Sequence, residues 1–415
     1  MQDTIIIIGE EYWFDSIESD DGITSYTKKA KYLLNKLQSA DTKYEYKIYH
    51  GPKNLIENIN KIGVDKIKAI FLFHDPFADS ILNRKTIKQM IDFFYDLEKN
   101  HNVHMYPGIE KTLLFSSKKY NKILQDKLPH TMLPYTKVLE YKNFKGIKDS
   151  KYINKKLFQI TENLFKTFNK IIIKKGYSYS AKQVKIINKN KISSYKDFFD
   201  IIKKLDYKKF WNTGSNAINM DIGIDRYYII QGYNKIVSKR INEYRIFFIN
   251  GKATYIIWKD NWEGVCTSDI ENEGDISIRD KQSKDIYYID DKNKENFNET
   301  RDSSSHNFNK NLMIEILRFA KQTYKEFLPL FWKNKEPPII LRLDVSYAIN
   351  KEFHDKYAQD IKGFDSKVRI YINEIEIDPT NYFYNNIICR SNQKINSKTL
   401  QEIVGDSINQ YIKKL

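Results

Sequence analysis

Cysteine is scarce in this sequence, and its scarcity limits how the fold can be stabilised. The chain has 415 residues, of which only Cys266 and Cys389 are cysteines. Two cysteines cannot build the disulfide framework of a secreted protein or the cysteine cluster of a structural zinc site. Low cysteine usage is typical of a reducing compartment, so we expect a cytoplasmic protein that relies on hydrophobic cores.

Long hydrophobic runs are also absent. The chain begins with "MQDTIIIIGEE", in which four isoleucines follow one another at positions 5–8 without a preceding basic residue. A membrane-spanning helix needs about 20 mainly apolar residues, and a secretory signal has a basic segment before its apolar one. We therefore expect neither a signal peptide nor a membrane as a partner.

Basic residues outnumber acidic ones, which favours partners that carry negative charge. Lysine and arginine total 69 against 53 aspartates and glutamates, which gives a formal net charge of +16. Such a balance suits nucleotides, phosphorylated or acidic substrates, acidic proteins or nucleic acid. Heavy use of lysine, asparagine, isoleucine and tyrosine, as an A/T-rich genome would produce, is an alternative explanation. The lysines are spread along the chain rather than gathered in one dense block, which weighs against nucleic acid.

The first 105 residues predict a small α/β domain. Strand patterns such as "IKAIFLFHDP" alternate with helix patterns such as "NRKTIKQMIDFFYDLEKN", whose apolar residues recur at helical spacing. Alternating strands and helices are typical of a parallel sheet covered by helices. The first strand is not followed by the G-x-G-x-x-G spacing of a dinucleotide site. A structural role is therefore the simpler interpretation of this domain taken alone.

The remaining sequence contains strand pairs joined by turns and loops. "IIIKKGYSYSAKQVKII" predicts a strand, a loop of small residues and a returning strand. "NEYRIFFINGKATYIIW" predicts a hairpin in which Asn250–Gly251 is the tight-turn pair. Residues 263–311 are polar and predict a long, partly mobile loop.

A row of acids near the C-terminus poses a chemical problem. The predicted strand "RIYINEIEIDP" places Glu374, Glu376 and Asp378 on one side, because residues two apart in a strand share a face. Adjacent carboxylates repel one another and are costly to bury unpaired, so a positive partner or full solvation is required. Together with Asp344 on another predicted strand, their oxygens would suit Mg²⁺, which binds carboxylates, phosphates and water.

Simpler roles for these charged residues remain open. Asp344 could pair only with Arg342 on its own strand. Glu374, Glu376 and Asp378 could form a solvated face that pairs with surface lysines. Arg245, on the first strand of the predicted hairpin, could form a structural salt bridge instead of gripping a phosphate or carboxylate.

Taken in order, these segments resemble the ATP-grasp superfamily. "IIIKKG" with "GYSYSAKQV" is similar to the strand and phosphate-covering loop of that family, "YYIIQGY" to its adenine-holding segment, and "EYRIFFINGK" to its central strand. "LRLDV" and "INEIEIDP" are similar to its two metal-binding strands. The resemblance implies an α/β ATP-grasp fold in which two α+β lobes clamp the nucleotide. It divides the chain into an N-terminal parallel α/β domain at 1–105, an N-terminal lobe at 106–230, and a C-terminal lobe at 231–415 with a polar insertion near 263–311.

The resemblance also implies a metal site. Its ligands would be Asp344, Glu374 and Glu376, and they would hold one or two Mg²⁺ ions. The family usually has asparagine where Glu376 stands, so this sequence departs from it there. The departure adds a negative charge and leaves the number of metal ions open.

Other positions are implied to offset charge and to hold ATP. Those implied to act in catalysis are Lys174, Arg245 and Arg342. Those implied to bind the nucleotide are Lys174, Lys175, Gly176, Ser178, Ser180, Gln231, Gly232 and Tyr233. The pair Lys118–Lys119 stands at the predicted start of a helix, and we expect it to be solvated there, with a role near the nucleotide as the alternative.

The activity that the resemblance implies is ligation that uses ATP and Mg²⁺. A substrate carboxylate attacks the γ-phosphate of ATP, and an amine then attacks the acyl phosphate to give an amide. The substrate could be an amino acid, a peptide or an acidic protein tail. Three alternatives stay open: a small-molecule kinase of the same fold, for example for an inositol phosphate; a basic nucleic-acid-binding protein without catalysis; and a protein that binds nucleotide without turnover.

Overall fold

The described part of the chain contains three β-sheets with helices packed on them. None of the described helices is long and apolar enough to cross a membrane. The structure is a computed structural model, and it describes residues 3–9, 33, 35–39, 43–50, 55–73, 87–132, 136–141, 147–176, 184–202, 226–233, 243–259, 286–289, 297–299, 310–332, 337–349, 368–377 and 400–415.

The first sheet is parallel and has the strand order β2–β1–β3–β4. Its strands are β1 (Asp3–Gly9), β2 (Tyr44–His50), β3 (Ile67–Leu72) and β4 (His104–Tyr106), and the helices between them include α1 (Leu55–Ile62) and α2 (Ile87–Lys99). Alternate isoleucines of residues 5–8 pack into cores on opposite faces of the sheet. A strand covered on both faces needs such a continuous apolar run. The prediction of a parallel α/β unit at the N-terminus is confirmed.

The second sheet is antiparallel and has the strand order β5–β8–β6–β7. Two short helices precede it: α3 (Ile109–Ser116) and α4 (Tyr120–Lys127). Its strands are β5 (Lys137–Tyr141), β6 (Lys170–Lys175), β7 (Val184–Asn188) and β8 (Arg226–Gly232). The helices α5 (Ile147–Phe165) and α6 (Tyr195–Ile202) share a core with Ile171 and Ile173 of β6. Because strand residues alternate, Lys174 lies on the other face of the sheet.

The third sheet has six antiparallel strands in the order β12–β11–β10–β9–β13–β14. They are β9 (Glu243–Ile249), β10 (Lys252–Lys259), β11 (Ile286–Ile289), β12 (Phe297–Glu299), β13 (Ile340–Ile349) and β14 (Val368–Glu376). The helix α7 (Lys310–Trp332) packs on one face, against Leu341, Leu343 and Val345 of β13. Asn250 and Gly251 join β9 to β10 with φ values of 47° and 81°, so the predicted tight hairpin turn is confirmed.

The long loop expected at residues 263–311 is interrupted by two strands. β11 pairs with β10, and β12 pairs with β11, so both extend the third sheet. The expectation of a loop is therefore wrong at these positions. The segment has few aliphatic residues, and β12 is only three residues long, so the sequence pattern carried little strand signal. Residues 263–285, 290–296 and 300–309 lie outside the described part of the chain.

The C-terminal helix α8 (Leu400–Ile412) joins the first sheet to the third. Its Val404, Ile408 and Tyr411 share one core with residues of β1 and β3 and with Phe247 and Ile340 of the third sheet. This core covers one end of a face of the third sheet. Further along the same face the side chains are charged, and that end carries the candidate site.

Candidate active site

Three carboxylates meet on one face of the third sheet. In the antiparallel pairing of β13 with β14, Asp344 lies opposite Glu374, and Arg342 lies opposite Glu376. Asp344, Glu374 and Glu376, here called the acidic cluster, each place one carboxylate oxygen within 4.8 Å of the others. An all-oxygen set of this kind is what Mg²⁺ prefers. The structure thus brings together the three residues that the sequence marks as metal ligands.

A bulge in β14 determines the face of the sheet on which these acids lie. The register between β13 and β14 shifts at Asn373, which is an extra residue on β14. A bulge of this kind switches the face on which the following residues lie. Because of the switch, Ile372 and Ile375 both pack into the core beneath α7. Glu374 and Glu376 are therefore left on the opposite face, away from that core.

A buried arginine neutralises two members of the acidic cluster. The Nε of Arg342 donates to Asp344 Oδ1 at 2.7 Å, and its Nη2 donates to Asp344 Oδ2 at 2.9 Å and to Glu376 Oε1 at 2.7 Å. Arg342 and Asp344 are each only 1% exposed. The local ion pair that the sequence left open as an alternative is therefore present. It leaves lone pairs on the Asp344 oxygens, because a carboxylate oxygen can accept more than one bond.

Two further basic side chains reach the site from neighbouring strands. Arg245 on β9 lies opposite Asp344, with its Nε 3.6 Å from Asp344 Oδ2. Lys174 on β6 donates from Nζ to Asn373 Oδ1 at 3.0 Å. The contact between Lys174 and Asn373 joins the second sheet to the third at the β14 bulge. Together with Arg342, the structure therefore gathers the three residues implied to act in catalysis around the acidic cluster.

Lys118 also lies at the site, so the expectation that it is solvated is wrong, and the sequence reasoning kept a role near the nucleotide only as the alternative. It lies in the turn between α3 and α4 with a φ of 59°, and it is only 9% exposed. Its Nζ forms an ion pair with Glu374 Oε1. The adjacent Lys119 does face outwards, with a side chain that is 40% exposed and an Nζ that lies 3.9 Å from Glu140 Oε1. The ion pair links residues 256 positions apart, so no local pattern signals it.

Tyr120, two residues after Lys118, attaches α4 to β14, the strand that carries Glu374 and Glu376. The backbone N–H of Ile375 donates to Tyr120 Oη at 3.1 Å, and the Tyr120 ring stacks on Phe115. Burial raises the pKa of Tyr120 to about 12, so its hydroxyl stays neutral beside the acids. The contact holds the turn that carries Lys118 against β14.

The two glutamates of the acidic cluster have pKa values shifted in opposite directions. Burial alone would raise the pKa of Glu374, but the ion pair with Lys118 outweighs this effect and lowers it. Burial raises the pKa of Glu376, and the other carboxylates of the cluster add to this rise while Arg342 opposes it. The cluster therefore combines one carboxylate that is firmly ionised with another that is more easily protonated.

Part of the predicted nucleotide site lies at the end of β6. Lys175 is buried, with 3% exposure, and the Gly176 N–H donates to the Tyr227 carbonyl at 2.7 Å. A Cβ on Gly176 would lie 2.5 Å from the Ser117 carbonyl oxygen, which is closer than any side chain permits. Glycine is therefore required here, because the end of β6 packs directly on the turn that holds Lys118.

Three other predicted nucleotide residues lie at the end of β8. Gln231 is buried, and its Nε2 donates to Thr136 Oγ1 at 3.2 Å. Gly232 packs so close to an aromatic ring that a Cβ there would lie 2.6 Å from a ring carbon. The Tyr233 ring centroid is 5.4 Å from Lys170 Nζ. Ser178 and Ser180 of the small-residue loop, and Asp378 of the acid row, lie outside the described residues.

Comparison with known proteins finds a likeness in structure. No protein-family model matches the chain, and no curated protein sequence matches it. Among solved structures, D-cycloserine synthetase DcsG has a TM-score of 0.50 at 12% identity, over 99% of both chains. D-alanyl-alanine synthetase A from Vibrio cholerae has a TM-score of 0.46 at 13% identity, over 100% of this chain and 99% of that one. D-alanine–D-alanine ligase from Bacillus anthracis, complexed with ATP, has a TM-score of 0.43 at 12% identity, over 100% of both chains.

The class of fold follows from the sheets and from the full-length structural match. The chain is an α/β protein with one parallel sheet and two antiparallel sheets. Its match to the D-cycloserine synthetase extends over 99% of both chains. The fold is the ATP-grasp fold, as the resemblance of the sequence segments implies. At 12% identity this likeness concerns the fold, and the activity has to be argued from the site itself.

Proposed function

We propose that this protein is an ATP- and Mg²⁺-dependent ligase that joins a carboxylate to an amine. The observation that carries the proposal is the acidic cluster, with its oxygens within 4.8 Å of one another, set among basic side chains on an ATP-grasp fold. Carboxylates suit a divalent cation and basic groups suit phosphate oxygens, and phosphoryl transfer needs both. The basic side chains are Lys118, Lys174, Arg245 and Arg342.

The proposed reaction has two displacement steps. An oxygen of the substrate carboxylate attacks the γ-phosphorus of ATP, and ADP leaves. The amine then attacks the carbonyl carbon of the acyl phosphate, phosphate leaves, and an amide forms. Lys174 and Arg245 would bind the phosphates and offset the charge that develops on them, while Arg342 would hold Asp344 in place. The chain would supply position and charge rather than a covalent nucleophile.

The acidic cluster would hold the metal. Asp344, Glu374 and Glu376 offer only oxygen ligands, which fits Mg²⁺. Two ligands of one Mg²⁺ lie at most about 4.2 Å apart, since each is about 2.1 Å from the ion. The present spacing of up to 4.8 Å is only slightly wider than this span, and the acidic cluster would hold one or two ions. When bound, Mg²⁺ neutralises phosphate charge.

The nucleotide would lie between the second and third sheets. The contact from Lys174 to Asn373 supports this placement, because it joins the two sheets beside the acidic cluster. The small-residue loop after β6 would cover the phosphates and exclude water. The proposed phosphate-binding residues are Lys175, Gly176, Ser178 and Ser180, and those proposed to hold adenine are Gln231, Gly232 and Tyr233. The proposed units are the α/β domain at 1–105 and the two lobes at 106–230 and 231–415.

The net charge supports an acidic substrate. A formal net charge of +16 supports an acidic substrate, such as an amino acid, a peptide or an acidic protein tail. Product analysis distinguishes ligation from the kinase chemistry that the same fold can host. A ligase releases ADP and phosphate and forms an amide, whereas a kinase forms a phosphate ester without free phosphate. A phosphate ester as the only product would contradict the proposal.

Calorimetric titration with Mg·ATP and with a non-hydrolysable analogue tests the proposed site directly. The variant is Asp344→Asn, and the control is Asp126→Asn, which removes an exposed carboxylate that pairs with Lys122 on α4. We expect wild type and the control to bind only with Mg²⁺ present, and Asp344→Asn to bind about tenfold more weakly or worse. Absence of binding by wild type would remove the proposed function.

A further inference from the structure

Basic side chains of the chain itself neutralise the acids of the site. Arg342 bonds to Asp344 and Glu376, and Arg245 lies 3.6 Å from Asp344. Lys118 forms an ion pair with Glu374. Each carboxylate of the acidic cluster therefore has a basic partner, and these six groups sum to zero charge when all three acids are ionised, while Lys174, which bonds to the adjacent Asn373, adds one further positive charge. Such a site has little attraction for a free divalent cation.

Lys118 differs from the two arginines in how it is held. The arginines lie on strands of the third sheet, where the backbone ladder fixes their positions. Lys118 comes from a turn outside that sheet, and its backbone is fixed by a bond from its N–H to the Phe115 carbonyl and by a bond from Asn121 Nδ2 to the Lys118 carbonyl. These bonds hold the backbone of the turn, but four carbon atoms separate it from the ammonium group. The charge can therefore move by several ångströms while the turn stays in place.

We propose that Lys118 is an internal cation that pairs with Glu374 when no metal is bound and moves to a phosphate oxygen when Mg·ATP binds. The proposal rests on the proposed function, since it concerns the same nucleotide and metal site. An ammonium group and a metal ion repel each other and cannot share one side of a carboxylate. Triphosphate oxygens offer the displaced ammonium a new partner. The metal then enters with the nucleotide and not before it.

The proposal predicts that removing the Lys118 charge has opposite effects on the binding of metal alone and on the binding of Mg·ATP. Without the Lys118 charge, Glu374 loses its ion-pair partner and the site becomes one unit more negative, so a divalent cation is attracted more strongly in the absence of nucleotide. With nucleotide present, the same variant lacks one phosphate partner. Lys118→Met should therefore strengthen the binding of metal alone and weaken the binding of Mg·ATP. A lysine that only supports the local structure would weaken both when it is removed.

The first experiment measures Mn²⁺ binding to the full chain without nucleotide, by the loss of the free-ion electron paramagnetic resonance signal. Lys119→Met is the matched control, because Lys119 is the neighbouring residue and its side chain is 40% exposed. We expect Lys118→Met to bind Mn²⁺ about tenfold or more tightly than wild type. Lys119→Met and the charge-conserving Lys118→Arg should resemble wild type. Equal or weaker Mn²⁺ binding by Lys118→Met than by Lys119→Met would overturn the proposal.

The second experiment measures Mg·ATP affinity for the same variants. We expect Lys118→Met to lose about tenfold in affinity relative to Lys119→Met. An unchanged affinity would show that Lys118 does not move to the phosphates. If Lys118→Met does not unfold cooperatively, Lys118→Gln replaces it in both experiments, because it removes the charge and keeps a hydrogen-bond donor. Failure of wild type to bind Mg·ATP would remove the proposed function and the move of Lys118 to a phosphate, whereas the Mn²⁺ comparison, which needs no ATP, still decides whether Lys118 opposes metal binding.

Discussion

Replacement of Arg342 by methionine should destabilise the protein strongly. The substitution keeps much of the side-chain volume, so its main effect is electrostatic. It removes three charge-assisted hydrogen bonds of 2.7 to 2.9 Å and leaves Asp344, which is 1% exposed, without its bidentate partner. A buried carboxylate that loses its partner keeps the cost of desolvation without the compensating attraction.

The magnitude can be bounded from the remaining contacts. Removing one partner of a buried ion pair typically costs about 3 to 5 kcal/mol. Arg245 stays 3.6 Å from Asp344 and offsets part of the loss, so we expect about 3 kcal/mol in the free energy of unfolding. Arg318→Met is the matched control. Arg318 pairs with Glu315 at 2.6 Å, but its side chain is 57% exposed, so its loss should cost less than about 1 kcal/mol.

Urea-induced unfolding followed by tryptophan fluorescence measures the difference, because Trp332 lies in the same core as Leu341 and Leu343 next to Arg342. The triple variant Arg342→Met, Asp344→Asn, Glu376→Gln supplies the second comparison. Removing all three charges together should restore a large part of the lost stability. An Arg342→Met protein no less stable than Arg318→Met would refute this reasoning, as would a triple variant less stable than the single one.

Three other predictions concern a glycine, a core aromatic residue and an exposed carboxylate. Gly176→Ala should cost about 1 to 3 kcal/mol in thermal or urea unfolding, because its Cβ meets a backbone carbonyl at 2.5 Å. Gly108→Ala should cost less, because there the Cβ meets the movable Glu98 carboxylate; equal losses would contradict the explanation. Phe327→Ala should cost about 3 to 5 kcal/mol, because Phe327 is fully buried beneath the third sheet, and a loss under 1 kcal/mol would be inconsistent with that packing. Hydrogen bonds from Ser193 and Ser194 lower the pKa of Asp197, so its stabilising effect should be present above the ordinary carboxyl pKa and be lost as the pH falls through the lowered value. A carbon-13 titration of the Asp197 carboxyl group with an ordinary midpoint would contradict this.

The faces of individual strands could be predicted from the sequence because they depend on neighbouring residues. The isoleucine run at 5–8 predicts a strand buried on both faces, and its alternate residues do pack into two cores. The hairpin at Asn250–Gly251 could be predicted for the same reason. Both residues have positive φ values, which the dipeptide accommodates better than most others do.

The bulge at Asn373 was not predicted, although the sequence contains a sign of it. Strict alternation would place Ile372, Glu374 and Glu376 on one face of β14. In the structure Ile372 shares a core with Ile375, three positions later. Two apolar residues three apart within a strand indicate that the alternation changes phase between them. The two short strands within residues 263–311 left no comparable sign.

The lysine that pairs with Glu374 could not be selected from the sequence, although Arg342 could be named there as a partner of Asp344. The row of acids stands out because like charges at strand spacing require compensation. The chain has 69 lysines and arginines, however, and any of them could supply it. Lys118 and Lys119 are adjacent and chemically identical, yet one is buried against Glu374 and the other is exposed. The difference follows from the turn between α3 and α4, which is fixed by the hydrogen bond from Ile375 on β14 to Tyr120 on α4 and by the close approach of Gly176. These contacts join distant parts of the chain, so the identity of the compensating lysine is a property of the fold.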